Sequence, residues 1–378
     1  MKKSTALTAF ILALLLSVLS TPVSADTTSP SAPSVSAKSA VLINASDGKV
    51  LWEKNSDEKM GMASTTKIMT AILAIESGDM NRSVKVSEQA ADIEGSSIYL
   101  TAGEELTMEQ LVCALMLESA NDAAAAIACE VSGSIGAFAA LMNEKARQLS
   151  LDSTHFTNPH GLYDEEHYTT AYDLARLAAY AMTNSDFARI VSTVKTTIPL
   201  KGTEGTRLLV NHNRLLRTYD GMIGVKTGFT KKTGRCLVSA AERDGVRLIA
   251  VTLCAPDDWN DHRSLLDYGF ERLESRCLIP EGGLTFSLPC AGSETGYALF
   301  TAEKSLNISC DKGTGSVSTV LEYDRPLYAP FGAGEQIGWV VFKADGSEVA
   351  RAPLICRSGC HQIKKVKKGL FGMIPGPK

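Results

Sequence analysis

The chain has 378 residues, of which 44% are hydrophobic and 21% are charged, and its formal net charge is −4 at pH 7. This profile excludes a disordered, collagen-like or multi-span membrane protein, and the length predicts about two globular domains. The charge is uneven, because residues 357–378 hold six Lys or Arg and no Asp or Glu. An acidic body with a basic tail argues against nucleic acid as a partner and favours an anionic surface for the tail.

The first residues predict export. Two lysines precede an apolar run from Ala6 to Leu19, which is too short to span a bilayer, and small residues lead up to Ala25. We expect residues 1–25 to be a signal peptide cleaved after Ala25, the alternative being an uncleaved anchor. Residues 26–38, rich in Ser, Thr and Pro, are expected to be flexible. Nine cysteines in an exported chain allow disulfides, but the sequence does not assign the pairs.

Hydrophobic periodicity predicts strands at both ends of the first domain, residues 39–276, with helices between them. The two ends would share one antiparallel sheet, which is an α+β fold. Short alternating runs and Gly-rich turns predict a small all-β domain over 277–356. The predicted strands are 39–44, 49–52, 222–230, 235–241, 246–254, 284–288 and 336–343, and the predicted helices are 65–76, 106–117, 123–131, 135–149, 169–183 and 261–273.

A Ser-x-x-Lys motif places Ser64 and Lys67 one helical turn apart on the same face. The spacing alone is weak evidence, because it also begins at Ser46, Ser56, Ser192 and Ser309. Only Ser64 begins a long helix that is apolar all round, and such a helix is buried. Burial favours the neutral form of Lys67, and a neutral amine can take the proton of the serine hydroxyl. The helix start also offers a free backbone N–H to a developing oxyanion.

A second motif, Ser119-x-Asn121, is predicted to lie on a short loop between two buried helices. A hydroxyl and an amide at this spacing can relay a proton and hold a peptide group. The alternative interpretation is a helix cap, for which both residue types are well suited.

A third motif, Lys-Thr-Gly, occurs at 226–228 and again at 232–234. The first copy continues a predicted strand, so Lys226 and Thr227 can face a substrate carboxylate, and Gly228 allows a ligand backbone to approach closely. The second copy lies between two predicted strands and is interpreted as a turn.

Three histidines, His155, His160 and His167, lie near acidic residues 164–166. Pro159 and Gly161 interrupt any helix that would align them as metal ligands. We therefore expect a structured loop here, with no metal site and no cofactor.

In this order the three motifs match the set found in penicillin-binding proteins and serine β-lactamases. With the sequences at 63–71, 121–124, 158–162, 167–171 and 236–237, the chain resembles the low-molecular-mass D-alanyl-D-alanine carboxypeptidases, peptidase family S11, from about residue 39 to 270. The resemblance implies a penicillin-binding/β-lactamase-like domain followed by a β-rich domain. It also implies hydrolysis of the terminal D-Ala from peptidoglycan stem peptides through an acyl-enzyme, with β-lactam antibiotics as inhibitors.

The resemblance also implies roles for individual residues. These are Ser64 as nucleophile, Lys67 as general base, Ser119 as proton relay, Asn121, Lys226, Thr227 and Gly228 in substrate binding, and the backbone N–H groups of Ser64 and Phe229 as the oxyanion hole. The sequence departs from the family at Met62 and Ala120, and the strand segment before Lys226 is longer than usual. The basic residue that the family has near this strand would be His212 or Arg214.

The family's location implies an extracytoplasmic enzyme, peripheral on the outer face of the cytoplasmic membrane. The tail 357–378 would lie on anionic lipid as an amphipathic helix, the alternative being a basic disordered tail. Three other functions remain open. A serine β-lactamase would need Glu165 or Glu166 to activate water; a silent penicillin-fold receptor would bind wall peptides without turnover; a metallopeptidase would be inhibited by chelators.

Overall fold

The computed structural model describes residues 31–363. The predicted signal peptide, 1–25, and residues 364–378 of the predicted tail lie outside the described residues. Eight α-helices are formed within the described part. They are α1 (Lys67–Glu76), α2 (Glu88–Ala91), α3 (Met108–Leu117), α4 (Asn121–Ser132), α5 (Ile135–Gln148), α6 (Ala171–Ala181), α7 (Ser185–Ser192) and α8 (Asp258–Arg272).

Strands make up a main sheet, two small hairpins and a β-rich C-terminal domain. In chain order they are β1 (Ser39–Asn44), β2 (Val50–Lys54), β3 (Ser83–Lys85), β4 (Glu105–Thr107), β5 (Lys195–Pro199), β6 (Thr206–Val210), β7 (Met222–Thr230), β8 (Gly234–Arg243), β9 (Val246–Leu253), β10 (Leu273–Ile279), β11 (Leu284–Ala291), β12 (Tyr297–Ala302), β13 (Leu306–Asp311), β14 (Val317–Tyr323), β15 (Leu327–Tyr328), β16 (Gln336–Ala344) and β17 (Ser347–Cys356).

The main sheet has the strand order β2-β1-β9-β8-β7 and is antiparallel throughout. The N-terminal hairpin therefore pairs with strands from the end of the same domain, which confirms the predicted α+β fold. The C-terminal domain contains a six-stranded sheet, β14-β16-β17-β12-β11-β15, and the pair β10-β13. Strand β10 follows α8 directly, so the β-rich part begins at Leu273, before the predicted boundary at 276.

Helix α1 lies at the centre of the helical layer. Every residue from Lys67 to Ile75 is buried, because the sequence leaves the helix no polar face. One face of the main sheet packs against this layer, and the opposite face packs against α8. The start of α1 is therefore fixed between the sheet and the other helices, which holds any group attached there rigidly.

Several predicted elements differ from the observed ones. The predicted helix 106–117 begins at Met108, because residues 105–107 pair with β3 and Thr107 caps the helix with its hydroxyl. The predicted helix 65–76 begins with a 3₁₀ turn, Ala63–Thr66, and becomes α-helical at Lys67. Helix α7 and the β5–β6 hairpin were not predicted.

The predicted flexible segment 26–38 and the predicted tail 357–378 are both ordered within the folded chain where the structure describes them. Ser36 donates its backbone N–H to Asp261 at 2.7 Å, and Ala37 is buried, so the end of segment 26–38 is fixed against α8. Residues 357–363, assigned to the tail, belong to the β-rich domain, since Cys360 and Gln362 form isolated β-bridges with Phe331 and Ser293, which lie in the connections between its strands. Among residues 31–363 no single helix has the length and apolar character to cross a membrane, although the bent pair α4–α5 meets that criterion jointly.

Candidate active site

The Ser64–Lys67 pair lies where β7 crosses the start of α1. Lys67 is fully buried, and its Nζ lies 3.1 Å from Ser64 Oγ and 2.8 Å from Asn121 Oδ1. The amine also donates to the backbone carbonyl of His160. Burial holds the pKa of Lys67 well below its ordinary value, the charge of Lys226 lowers it further, and Asp122 opposes the shift. Lys67 is thereby placed to accept the proton of Ser64.

The other four Ser-x-x-Lys matches have no such environment. Their lysines are all exposed, namely Lys49, Lys59, Lys195 and Lys312. None of these lysines is therefore buried beside its serine as Lys67 is buried beside Ser64. The apolar helix that follows Ser64 was therefore the informative sequence signal.

The second motif lies at the junction of α3 and α4, where Ser119 and Ala120 are on the predicted loop and Asn121 is the first residue of α4. Ser119 has a φ of +61° and is 6% exposed, and it lines the cleft beside Ser64. The side chain of Asn121 donates to the carbonyl of Glu94 at 2.7 Å and accepts from Lys67. The alternative interpretation as a helix cap is wrong for this motif, because the capping position of α4 is Ala120, without a side-chain cap. The junction instead places Ser119 on the cleft with Ser64 and Asn121 in contact with Lys67.

The third motif lies on the edge strand β7, and its second copy, 232–234, forms the turn into β8. Thr227 and Gly228 line the cleft, whereas Lys226 is only 2% exposed and donates to the carbonyl of Thr227 at 3.0 Å. A Cβ atom on Gly228 would lie 3.0 Å from the backbone nitrogen of Ser64, so a side chain here would push the strand and the Ser64 turn apart by a few tenths of an ångström. Burial lowers the pKa of Lys226 to about 7, an effect that the carboxylate of Glu118 opposes.

These residues open into a cleft of about 400 Å³. The side chains around it come from both layers of the domain. They are Ser64, Ser96, Ser119, His212, Arg214, Thr227, Gly228, Phe229, Arg235, Asp258 and Trp259. His212 and Arg214, the two candidates for the additional basic residue, therefore both lie at the cleft. Ser64 and Phe229, whose N–H groups were predicted to form the oxyanion hole, lie on the same cleft.

Some cleft residues were missed from the sequence. Arg235 and Asp258 form an ion pair at 2.8 Å, and the guanidinium of Arg235 lies over the ring of Trp259 at 5.6 Å. These residues come from β8 and the start of α8, and no local motif marks them. Only the adjacency of β7, β8 and α8 in the fold brings them to the cleft.

Glu118 is a second omission. Its carboxylate accepts the backbone N–H of Val210 and lies 3.2 Å from His212 Nε2. It therefore ties the Ser119 loop to the β5–β6 hairpin, an element that the sequence did not predict. Its position next to Ser119 in the chain was the only available signal.

The histidine-containing segment forms a structured loop, as predicted. Asn158 Oδ1 accepts the N–H of Gly161 at 2.7 Å, and His167 Nε2 lies 2.7 Å from Thr66 Oγ1. Burial lowers the pKa of His160 to about 3 and that of His167 to about 4, so both rings are neutral. The loop buttresses the turn that carries Ser64.

The structure also shows where the residues lie that a metallopeptidase or a β-lactamase would need. Among residues 31–363, no three His, Cys, Asp or Glu side chains are arranged to hold a metal ion. Glu165 and Glu166 are exposed and are not among the cleft-lining residues, which disfavours the water-activating role that a β-lactamase would need.

Comparison with known proteins agrees with this geometry. A family model described as D-alanyl-D-alanine carboxypeptidase matches residues 26–257. The D-alanyl-D-alanine carboxypeptidase DacF of Bacillus subtilis is 35% identical over 331 residues, 85% of each chain. DacC of Escherichia coli is 30% identical over 360 residues, 91% of this chain and 88% of the relative.

A solved structure extends the similarity to the fold. Penicillin binding protein 5 from Haemophilus influenzae superposes with a TM-score of 0.70 at 27% identity, over 88% of this chain and all of that one. The three motifs, the fold and these relatives agree with one another. The chain belongs to the D-alanyl-D-alanine carboxypeptidases, penicillin-binding serine peptidases that act in bacterial cell wall synthesis.

Proposed function

We propose that Ser64 is the nucleophile of this carboxypeptidase and that Lys67 is its general base. Ser64 Oγ attacks the carbonyl carbon between the two terminal D-alanines, and Lys67 Nζ takes the hydroxyl proton. The single observation that carries the proposal is the 3.1 Å approach of a fully buried amine to Ser64 Oγ. Burial lowers the pKa of Lys67 well below its ordinary value, which favours the neutral amine that can accept the proton.

The developing oxyanion would be stabilised by the backbone N–H groups of Ser64 and Phe229. The position of both residues on the cleft supports this role. Ser119 would pass a proton to the leaving D-Ala amine, and Asn121 would hold the substrate amide. Asn121 accepts a hydrogen bond from Lys67 and donates one to the carbonyl of Glu94, and these two bonds support the role because they hold its amide in one orientation.

Lys226, Thr227 and Gly228 would bind the terminal carboxylate of the substrate. Gly228 supports the assignment because its lack of a side chain keeps the space between β7 and Ser64 open. Water then hydrolyses the acyl-enzyme and releases the shortened stem peptide. A β-lactam would acylate Ser64 in the same way.

We also propose the cellular setting of the reaction. The substrates would be peptidoglycan stem peptides, and the enzyme would work outside the cytoplasm as a peripheral protein of the membrane's outer face. Signal-like residues 1–25 support export. The lysines between Lys364 and Lys368 support attachment of the tail to anionic lipid. The catalytic domain, predicted over 39–276, would end with α8 at Arg272, and the β-rich domain, predicted over 277–356, would extend from Leu273 to Ile363.

The test is D-Ala release from diacyl-L-Lys-D-Ala-D-Ala by residues 26–378, compared with the variant Ser64→Ala. We expect release by the parent chain and none by the variant. Ser46→Ala is the matched control, because Ser46 begins another Ser-x-x-Lys match with an exposed lysine, and it should retain full activity. Release that persists in Ser64→Ala would refute the assignment of the nucleophile.

Penicillin binding, penicillin turnover and chelator treatment, measured alongside D-Ala release, separate the alternatives. A folded parent chain that forms a stable penicillin adduct but releases no D-Ala would be a receptor. Rapid turnover of penicillin would indicate a β-lactamase. Loss of D-Ala release on adding a chelator would indicate a metallopeptidase.

A further inference from the structure

Three cysteines meet in the core of the β-rich domain. Cys290 at the end of β11, Cys356 at the end of β17 and Cys360 beyond it are all buried. Cys290 Sγ and Cys360 Sγ lie 3.9 Å apart, in van der Waals contact. The two residues are 70 positions apart in the chain, so the fold rather than local sequence brings them together.

The backbones on both sides of this sulfur pair are held by hydrogen bonds. Cys360 and Phe331 exchange two backbone hydrogen bonds, of 2.9 and 3.0 Å. Ile363 donates its N–H to the carbonyl of Gly292 at 2.8 Å, two residues beyond Cys290. The two segments are therefore fixed side by side, and side-chain rotation alone has to bring the sulfurs closer by roughly 2 Å to reach bonding distance.

We infer that Cys290 and Cys360 form a structural disulfide in the exported protein. The inference goes beyond the peptidase activity and uses only the extracytoplasmic location proposed above, where disulfides persist. The oxidant is a small-molecule or protein disulfide. One cysteine thiolate attacks the oxidant, expels one thiol and forms a mixed disulfide. The second thiolate then attacks that cysteine sulfur, forms the Cys290–Cys360 bond and expels the second thiol, so the two protons of the cysteines end on the two released thiols.

The geometry disfavours other pairings in this domain. Cys277 lies opposite Asn307 in the β10–β13 pair, and Cys310 lies opposite Glu274, so these two cysteines are out of register with each other. Cys356 belongs to the same buried cluster, but the two sulfur atoms in contact are those of Cys290 and Cys360. Cys356 is therefore expected to remain a free thiol.

The bond would join β11 to the last described segment of the chain. Residues 357–363 precede the lysines that begin at Lys364, so the bond would anchor the base of the basic tail to the folded domain. Burial raises the pKa of the Cys290 thiol. A buried thiol reacts slowly, so the bond forms while the domain folds and afterwards resists reduction.

Peptide mapping tests this inference directly. Residues 26–378 are reduced, unfolded and refolded with reduced and oxidised glutathione, and remaining thiols are alkylated under denaturing conditions without reduction. Cleavage after Arg357 separates Cys356 from Cys360, and cleavage after Glu281 separates Cys277 from Cys290. We expect peptide 282–294 linked to peptide 358–364, with Cys356 alkylated.

Two variants serve as controls. Cys356→Ser should keep the linked peptide, and Cys290→Ser should lose it. The melting temperature of the parent chain should fall on reduction by on the order of 5 °C or more, and that of Cys290→Ser should not respond to reduction. Alkylation of both Cys290 and Cys360, or a link that contains Cys356, would overturn the inference. D-Ala release does not enter this test, so it stands or falls independently of the proposed catalytic residues.

Discussion

Replacing Lys226 with methionine is expected to stabilise the protein while impairing catalysis. Lys226 is 2% exposed, and burial lowers its pKa from 10.5 to about 7. A shift of this size corresponds to about 5 kcal/mol of unfavourable free energy for holding the charged amine in the folded state. Methionine has a similar length and no charge, but it loses the hydrogen bond to Thr227, worth about 1 kcal/mol. The net gain should be about 4 kcal/mol.

The sign of the pH dependence follows from the same shift. Below pH 7 Lys226 is charged in both the folded and the unfolded chain, so the full penalty is present. Between about pH 7 and 10.5 only the unfolded chain is charged, so the free energy of unfolding of the parent chain rises with pH. The advantage of Lys226→Met should therefore shrink across this window and disappear near pH 10.5.

Urea unfolding of the parent chain and of Lys226→Met at pH 6, 8 and 10 measures this difference. Lys231→Met is the matched control, because Lys231 is an exposed lysine just beyond β7, and its replacement should leave stability unchanged at each pH. D-Ala release by Lys226→Met should fall on the order of tenfold to a hundredfold, since a charged contact to the substrate carboxylate is lost. A stability difference that does not vary with pH would refute the electrostatic reasoning.

Two further substitutions probe the surroundings of Ser64. Glu118→Gln removes the charge that opposes the pKa shift of Lys226, so the alkaline limb of the kcat/KM profile for D-Ala release should move to lower pH; an unmoved limb would contradict this role. Gly228→Ala places a Cβ atom 3.0 Å from the nitrogen of Ser64 and displaces the turn, so acylation by penicillin, followed by intact mass, should slow by on the order of tenfold. Gly136→Ala, a helical position with open space around it, is the control and should acylate at the parent rate.

The sequence predicted the elements that carry the chemistry, because each has a strong local pattern. Strand β7 was predicted with its observed bounds, Met222–Thr230, since the apolar run and the following turn define it. Helix α1 was recognised by its lack of a polar face, and the same property correctly predicted the burial of Lys67. One apolar run in the sequence therefore predicted both the burial of Lys67 and the lowering of its pKa.

The missed features depend on tertiary contacts. Residues 195–199 and 206–210 alternate weakly and form a hairpin whose second strand is held by Glu118. The ordered end of segment 26–38 depends on Asp261, more than two hundred residues away in the chain. Neither contact leaves a periodic signal, so the hairpin was not predicted and the composition of segment 26–38 suggested flexibility.

The most direct test of the account is the location of the penicilloyl group after brief exposure of residues 26–378 to benzylpenicillin. Peptide mass mapping should find one added penicilloyl group on Ser64, and Ser64→Ala should acquire none. Lys67→Met, which removes the amine 3.1 Å from Ser64 Oγ, should acquire the group far more slowly. A penicilloyl group on any other residue, or acylation of Lys67→Met at the parent rate, would contradict the central claim that a buried neutral Lys67 activates Ser64.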